Sequence, residues 1–179
     1  VAVEMGQPGI CVTDEGWQAV GMAATGSVDV LFEAASGIAI GRPGDYLARP
    51  GFWQGAVGIA ACWYGAAQRL AEVLREQCNR RAEPHALAHL GAVDSALNSA
   101  ACVLRASARQ IDRAPLADAR QLAQQVRASL EDTVEQVMRH VGRAAGAGPF
   151  CKDPHFAQLM ADLPVYVRQS HAERDLAAL

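Results

Sequence analysis

Between residues 122 and 141, apolar side chains recur every three or four positions, through Leu122, Val126, Leu130, Val134, Val137, Met138 and Val141. A helix turning once in about 3.6 residues puts such a series on one face. A stripe that long must be buried against other elements, so the chain is committed to a packed helical body. Two earlier segments extend that body. One starts near Pro50, a residue tolerated in a first turn, and runs to about Cys78. The next begins around Pro84 and carries Leu87, Leu90, Leu97, Val103, Leu104 and Ile111 before Ala114-Pro115 breaks it. The run from Gly142 to Pro149 ends the third helix. Asp153-Pro154 then caps and starts a short helix through Phe156, Leu159 and Met160, and Pro164 starts the last segment. The expected architecture is mainly α, an antiparallel four-helix bundle whose long helices measure roughly 40 Å.

The first 45 residues read differently. Ile10-Cys11-Val12 is a short β-type run. In Ser27–Glu33, Val28, Val30 and Phe32 alternate with Ser27, Asp29 and Glu33, as in a half-buried strand. Gly6-Gln-Pro-Gly9 and Asp14-Glu-Gly16 read as turns. Two or three short strands cannot bury their own apolar face. We therefore expect residues 1–45 to be the incomplete tail of a β-domain and residues 46–179 a helical bundle domain. The opening Val1, in what reads as mid-strand, fits a fragment.

Composition narrows the function. The 179 residues are 51% hydrophobic, which excludes wholesale disorder, and carry a net charge of -3, which gives no footprint for nucleic acid. Lys152 is the only lysine and roughly a fifth of the residues are Ala, a GC-rich coding bias that favours close-packed helices. The longest apolar stretch, Ala56 to Ala67, falls short of the ~20 residues a bilayer span requires. The five cysteines are scattered, with no CxxC and no zinc spacing, and His85, His89, His140 and His155 share no ligand spacing, so no metal is expected. Reduced thiols place the chain in the cytoplasm.

Three motifs in order then carry a family resemblance. The first is Trp17-Gln-Ala-Val-Gly21-Met22-Ala-Ala-Thr25-Gly26-Ser27 followed by the Val/Phe-rich strand. The second is Arg49-Pro50 with Gly55-Ala56-Val57-Gly58-Ile59-Ala60. The third is the turn Ala145-Gly146-Ala147-Gly148 followed by a short helix and Met160-Ala161-Asp162. Together they resemble the acyl-CoA dehydrogenase family, over the end of its middle β-domain and its C-terminal helical domain. The resemblance implies FAD between the β-domain and the bundle, an acyl-CoA or related substrate, and α,β-dehydrogenation, in which a carboxylate takes the α-proton and the flavin the β-hydride. It also implies a homodimer or homotetramer. Thr25, Ser27, Arg80, Arg81, Gly146 and Gly148 fall where the family touches its flavin, and Arg49 where it meets substrate.

The match departs at the base. The last segment, Val165 to His171, puts Ser170 at the position of the usual Glu, and the other position some members use holds Ala48. A lone serine is no base near neutral pH. His171, next along, has an imidazole suited to proton transfer, and flavin monooxygenases resembling this fold sometimes use a histidine there. The plainer reading is a partly exposed histidine on a polar helix, and Glu173 is a further carboxylate within reach. Arg80 and Arg81 lack the Phe-Gly that follows them in the family, and read equally as a solvated helix end or a pyrophosphate contact. Ala23 and Ala24 stand where many members have Arg. Three functions stay open: a dehydrogenase, a flavin-dependent monooxygenase or oxidase using His171, and a non-catalytic dehydrogenase-like subunit.

Overall fold

The computed structural model describes residues 1–171 and 173–179. Strands β1 (Ile10–Val12) and β2 (Val30–Phe32) pair antiparallel, with Cys11 opposite Leu31. Helices follow: α1 (Asp45–Ala48), α2 (Pro50–Arg80), α3 (Pro84–Arg113), α4 (Arg120–Ala145), α5 (Ala147–Lys152), α6 (Pro154–Val167) and α7 (Glu173–Ala177).

Helix α2 has proline in its first turn and no charged residue before Arg69. Its buried face runs through Val57, Ala60, Trp63, Ala67, Leu70 and Leu74 to Cys78. The chain straightens at Arg81, and Glu83 caps α3 by accepting the Ala86 amide at 2.9 Å. At the far end of the bundle the Gln54 amide donates to the Pro115 carbonyl at 2.7 Å, tying the start of α2 to the end of α3. Gln77 likewise reaches the Ala144 carbonyl, tying the ends of α2 and α4. Thus α2 and α4 run parallel, and α3 runs antiparallel to both. The core between them is Leu70, Leu74, Val93, Val126, Leu130, Val134 and Val137, with Leu163 and Val167 added from α6.

The three long helices lie within a few residues of their expected bounds, and the fourth element is the shorter α6 against α2 and α4. Five expectations need correction. Helix α4 continues through Gly142, whose missing side chain leaves room for Phe150 and Met160, at 3.5 and 3.7 Å from where a Cβ would stand. It stops at Gly146, whose φ of 65° suits glycine. Gly148 is then helical, in the first turn of α5.

Pro164 starts nothing. It lies inside α6, which burial of Leu163 and Val167 on either side holds together despite the missing amide. In α3 Leu97 is buried and Leu90, Val103, Leu104 and Ile111 pack against the core as expected, but Leu87 is 45% exposed and the small residues Ala86, Ala100, Ala101 and Ser107 take further buried positions. The small residues face inward because α2 and α4 approach closely there. By length and composition alone α3 is long and apolar enough to cross a membrane, unlike the shorter stretch expected from the sequence; one of its faces packs on α2 and α4. Finally, the apolar face of β2 is not covered. Phe32 is 55% exposed, Val12 is exposed on the same face, and Leu31 is exposed on the other. Among the described residues no helix packs on the two strands.

Candidate functional site

The residues singled out from the sequence fall into four places. The first is the segment before β2. Gly21 lies against the Ala161 carbonyl of α6, so close that a Cβ would stand 1.9 Å from that oxygen. Next to it, the Met22 amide donates to the Asp162 carboxylate, which also accepts from Gln158. The Trp17 indole closes the loop by donating to the Met22 carbonyl at 3.1 Å. Two motifs far apart in sequence, Gly21-Met22 and Met160-Ala161-Asp162, are therefore one contact. It holds the 3-10 turn Ala23–Thr25 on the surface, where the Thr25 hydroxyl donates to the Met22 carbonyl at 2.8 Å and Ser27 is exposed.

The second place is the start of α2. The Arg49 guanidinium lies 4.1 Å over the Tyr46 ring, a cation–π contact that parks it on the surface.

The third is a cleft of about 410 Å³ between the end of α2 and α5. Arg80 and Gly148, chosen for separate reasons, both line it, with Arg69 and Lys152 as further cations and Glu76 and Asp153 as anions. Arg69 is engaged with Glu72 at 3.0 Å, which leaves Arg80 and Lys152 as the free cations among the described lining. Cations beside helical backbone without a side chain suit a phosphate or diphosphate. Gly146 bounds the same turn, and Arg81 lies just past α2 and does not line the cleft.

The fourth place is a cavity of about 220 Å³ between α4 and the end of the chain. Ser170 lines it and donates its hydroxyl to Glu131 Oε2 at 2.9 Å. Glu131 is nearly covered, with 13% of its side chain exposed, and its other oxygen accepts from Arg168, which also pairs with Glu135. The hydrogen bond to Glu135, and the charges of Glu131 and Glu135, raise the Arg168 pKa above its ordinary value against a smaller desolvation penalty. One turn earlier on α4, the Arg127 guanidinium lies 4.7 Å over the buried Trp63 ring. Burial lowers its pKa, opposed by the charges of Asp175 and Glu131, and it stays a cation. Tyr166 stacks edge-on to Trp63, and desolvation followed by the Cys62 thiol raises its phenol pKa.

His171 does not line this cavity. It is 70% exposed, with Nδ1 3.7 Å from Asp175, while Glu173 and Asp175 do line it. The sequence reading missed Glu131 as the partner of Ser170, and Arg127 and Arg168 as cations lining the same cavity. The available signal was Arg127, Glu131 and Glu135 at successive spacings of four along the edge of the α4 stripe. It also missed His89 and His140, whose Nδ1 atoms meet at 2.9 Å between α3 and α4. Among the described residues no group of three or more His, Cys, Asp or Glu is placed to hold a metal.

No family model matches the chain, and no curated protein does. Solved structures do. KijD3 in complex with FMN and dTDP-3-amino-2,3,6-trideoxy-4-keto-3-methyl-D-glucose superposes with a TM-score of 0.77 at 21% identity, over 98% of this chain and 49% of that one. KijD3 in complex with dTDP gives 0.78 at 20% identity, over 98% and 51%. XiaF from Streptomyces sp. in complex with FADH2 and glycerol gives 0.68 at 19%, over 96% and 54%. The chain thus spans about half the length of these flavin-bound proteins and shares its fold with that half.

Proposed function

We propose that this chain is the helical, flavin-facing portion of a flavin-dependent oxidoreductase, with residues 1–45 the edge of a β-domain and residues 46–179 the bundle domain. The observation that carries the reading is the meeting of Arg80 and Gly148 in one cleft with Lys152. That donor set fits the diphosphate of FAD, and the flavins held by KijD3 and XiaF support a flavin there. The flavin, when bound, supplies the acceptor for a hydride. Arg80 and Lys152 hold the anionic part, and the bare backbone at Gly148 lets it approach. The open apolar side of β1 and β2 is the surface on which the rest of a β layer closes the pocket.

The reaction is the α,β-dehydrogenation of an acyl thioester, with Arg49 on the substrate side and Thr25 and Ser27 as hydroxyl contacts. A second reading, a flavin-dependent oxygenase that calls on His171 from outside the cavity, is favoured over a dehydrogenase by two things. Ser170 stands in place of a carboxylate, and the flavin in XiaF is FADH2. The protein is cytoplasmic and a homodimer or homotetramer. Gly51, Gly55, Gly58 and Gly65 leave one side of α2 flat and open for a second copy.

The visible spectrum of the gently purified native protein tests the reading. An oxidised-flavin spectrum that bleaches under acyl-CoA without air supports dehydrogenation. Bleaching only with an external reductant supports the oxygenase. No flavin after reconstitution with FAD or FMN leaves a non-catalytic subunit. Arg80→Gln and Gly148→Val are expected to weaken flavin retention about ten-fold or more each; unchanged retention in both removes the cleft from the argument.

A further inference from the structure

We infer that Ser170 and Glu131 form a two-residue proton relay, with the carboxylate of the site supplied by α4. The inference rests on the acyl-thioester reading for its substrate, and on geometry for its residues.

A serine hydroxyl has one proton to donate and two lone pairs to accept with. Here the proton is committed to Glu131 Oε2 at 2.9 Å. Ser170 is therefore held as an acceptor toward the cavity it lines. Arg168 fixes the other Glu131 oxygen, so the carboxylate cannot rotate away from Ser170 without breaking an ion pair. Cover over Glu131 excludes most of the water that would compete for Oε2. Gln124, Arg127 and Ala128 line the start of this stretch of α4, and Glu173, Asp175 and Leu176 the α7 side.

The step balances without further reactants. A proton leaves the α-carbon of the thioester for Ser170 Oγ as the Ser170 proton passes to Glu131 Oε2. The C–H electron pair stays on the substrate as the enolate, and the carboxylate becomes a carboxylic acid. Serine alone is no base, but serine passing its proton to a carboxylate needs no alkoxide.

Two measurements test it. The first needs no flavin. In protein carrying 13C-labelled glutamate, the Glu131 carboxyl resonance is identified by its loss in Glu131→Gln. At fixed pH that resonance is expected to shift in Ser170→Ala and to stay near its original place in Ser170→Thr, which keeps a hydroxyl. An unshifted resonance in Ser170→Ala overturns the relay.

The second uses the native, flavin-loaded protein with butyryl-CoA in deuterated buffer and no electron acceptor. The wild type is expected to exchange the α-hydrogens. Glu131→Gln is expected to slow exchange roughly a hundred-fold, and Ser170→Ala somewhat less, with butyryl-CoA binding unchanged. Wild-type exchange rates in both variants overturn the relay. Flavin-loaded wild type that exchanges nothing overturns the thioester reading, and the carboxyl resonance then decides the relay alone. If Glu131→Gln does not fold, the Ala and Thr variants of Ser170 carry both measurements.

Discussion

The Met22 amide and the Asp162 carboxylate meet across 140 residues of sequence, joining the loop before β2 to the middle of α6. The contact works because residue 21 has no side chain. With Gly21 seated on the Ala161 carbonyl, the next amide points straight at Asp162. Met22 itself adopts a left-handed φ of 58°, which an isolated methionine avoids. The surrounding hydrogen bonds from Trp17 and Thr25 offset that cost.

Asp162→Ala is expected to release this loop without melting the bundle. Amide exchange should accelerate at residues 17–25 while α2 and α4 keep their protection, because the core does not pass through this contact. Removal of a charged acceptor costs about 1.5–3 kcal/mol of local stability. Gly21→Ala should release the same residues. If either variant loses protection evenly along the chain, the loop is part of the cooperative core.

Leu130 and Leu87 give opposite expectations from the same residue type. Leu130 is fully buried among Val126, Val134 and Leu70, and Leu130→Ala should cost about 2–5 kcal/mol in denaturant unfolding. Leu87 faces outward, and Leu87→Ala should stay within about 0.5 kcal/mol. A large loss for Leu87→Ala would mean that another surface covers it.

Acid is expected to weaken the α3–α4 contact at His140. Desolvation first, then the charges of Arg139, His89 and Arg143, lower its pKa from the ordinary 6.5. The unfolded chain therefore binds the proton more readily than the folded one. Stability should be flat above about pH 6.5, fall as the pH drops below it, and level off once the folded form also protonates. His140→Gln should flatten this part of the curve, measured as melting temperature against pH. A slope that persists in the variant assigns the effect to other groups.

Much of this architecture was legible in the sequence, and the parts that were not have physical causes. Helix bounds at Pro50, Pro84 and Pro154 were readable because proline and capping residues act locally. The α4 stripe was readable because Val126, Leu130 and Val134 pack where their spacing says. On α3 the larger residues from Leu90 to Ile111 were readable, whereas Leu87 was misread and the buried alanines were missed, because hydrophobicity alone does not single out alanine over leucine. Gly142 and Pro164 continue their helices because tertiary partners, Phe150 in one case and the buried Leu163 and Val167 in the other, outweigh local preference. Ser170 was singled out from its place in the chain. Glu131 was invisible from there because it arrives from another helix, 39 positions away.

The parallel course of α2 and α4 sets the field at one end of the bundle. Peptide dipoles add along a helix and leave about half a negative charge at its C-terminus. Here two such poles finish side by side, against the single positive pole of α3. Arg80 and Arg143 sit in those last turns and Lys152 closes α5. These cations lie in the turns where the carbonyl ends of their own helices favour positive charge. The diphosphate proposed for the cleft would draw on a charge that also serves the helix end, so its affinity would be a difference between two claims on the same guanidinium. Raised salt should therefore weaken anion binding at this end and cost the fold itself a little.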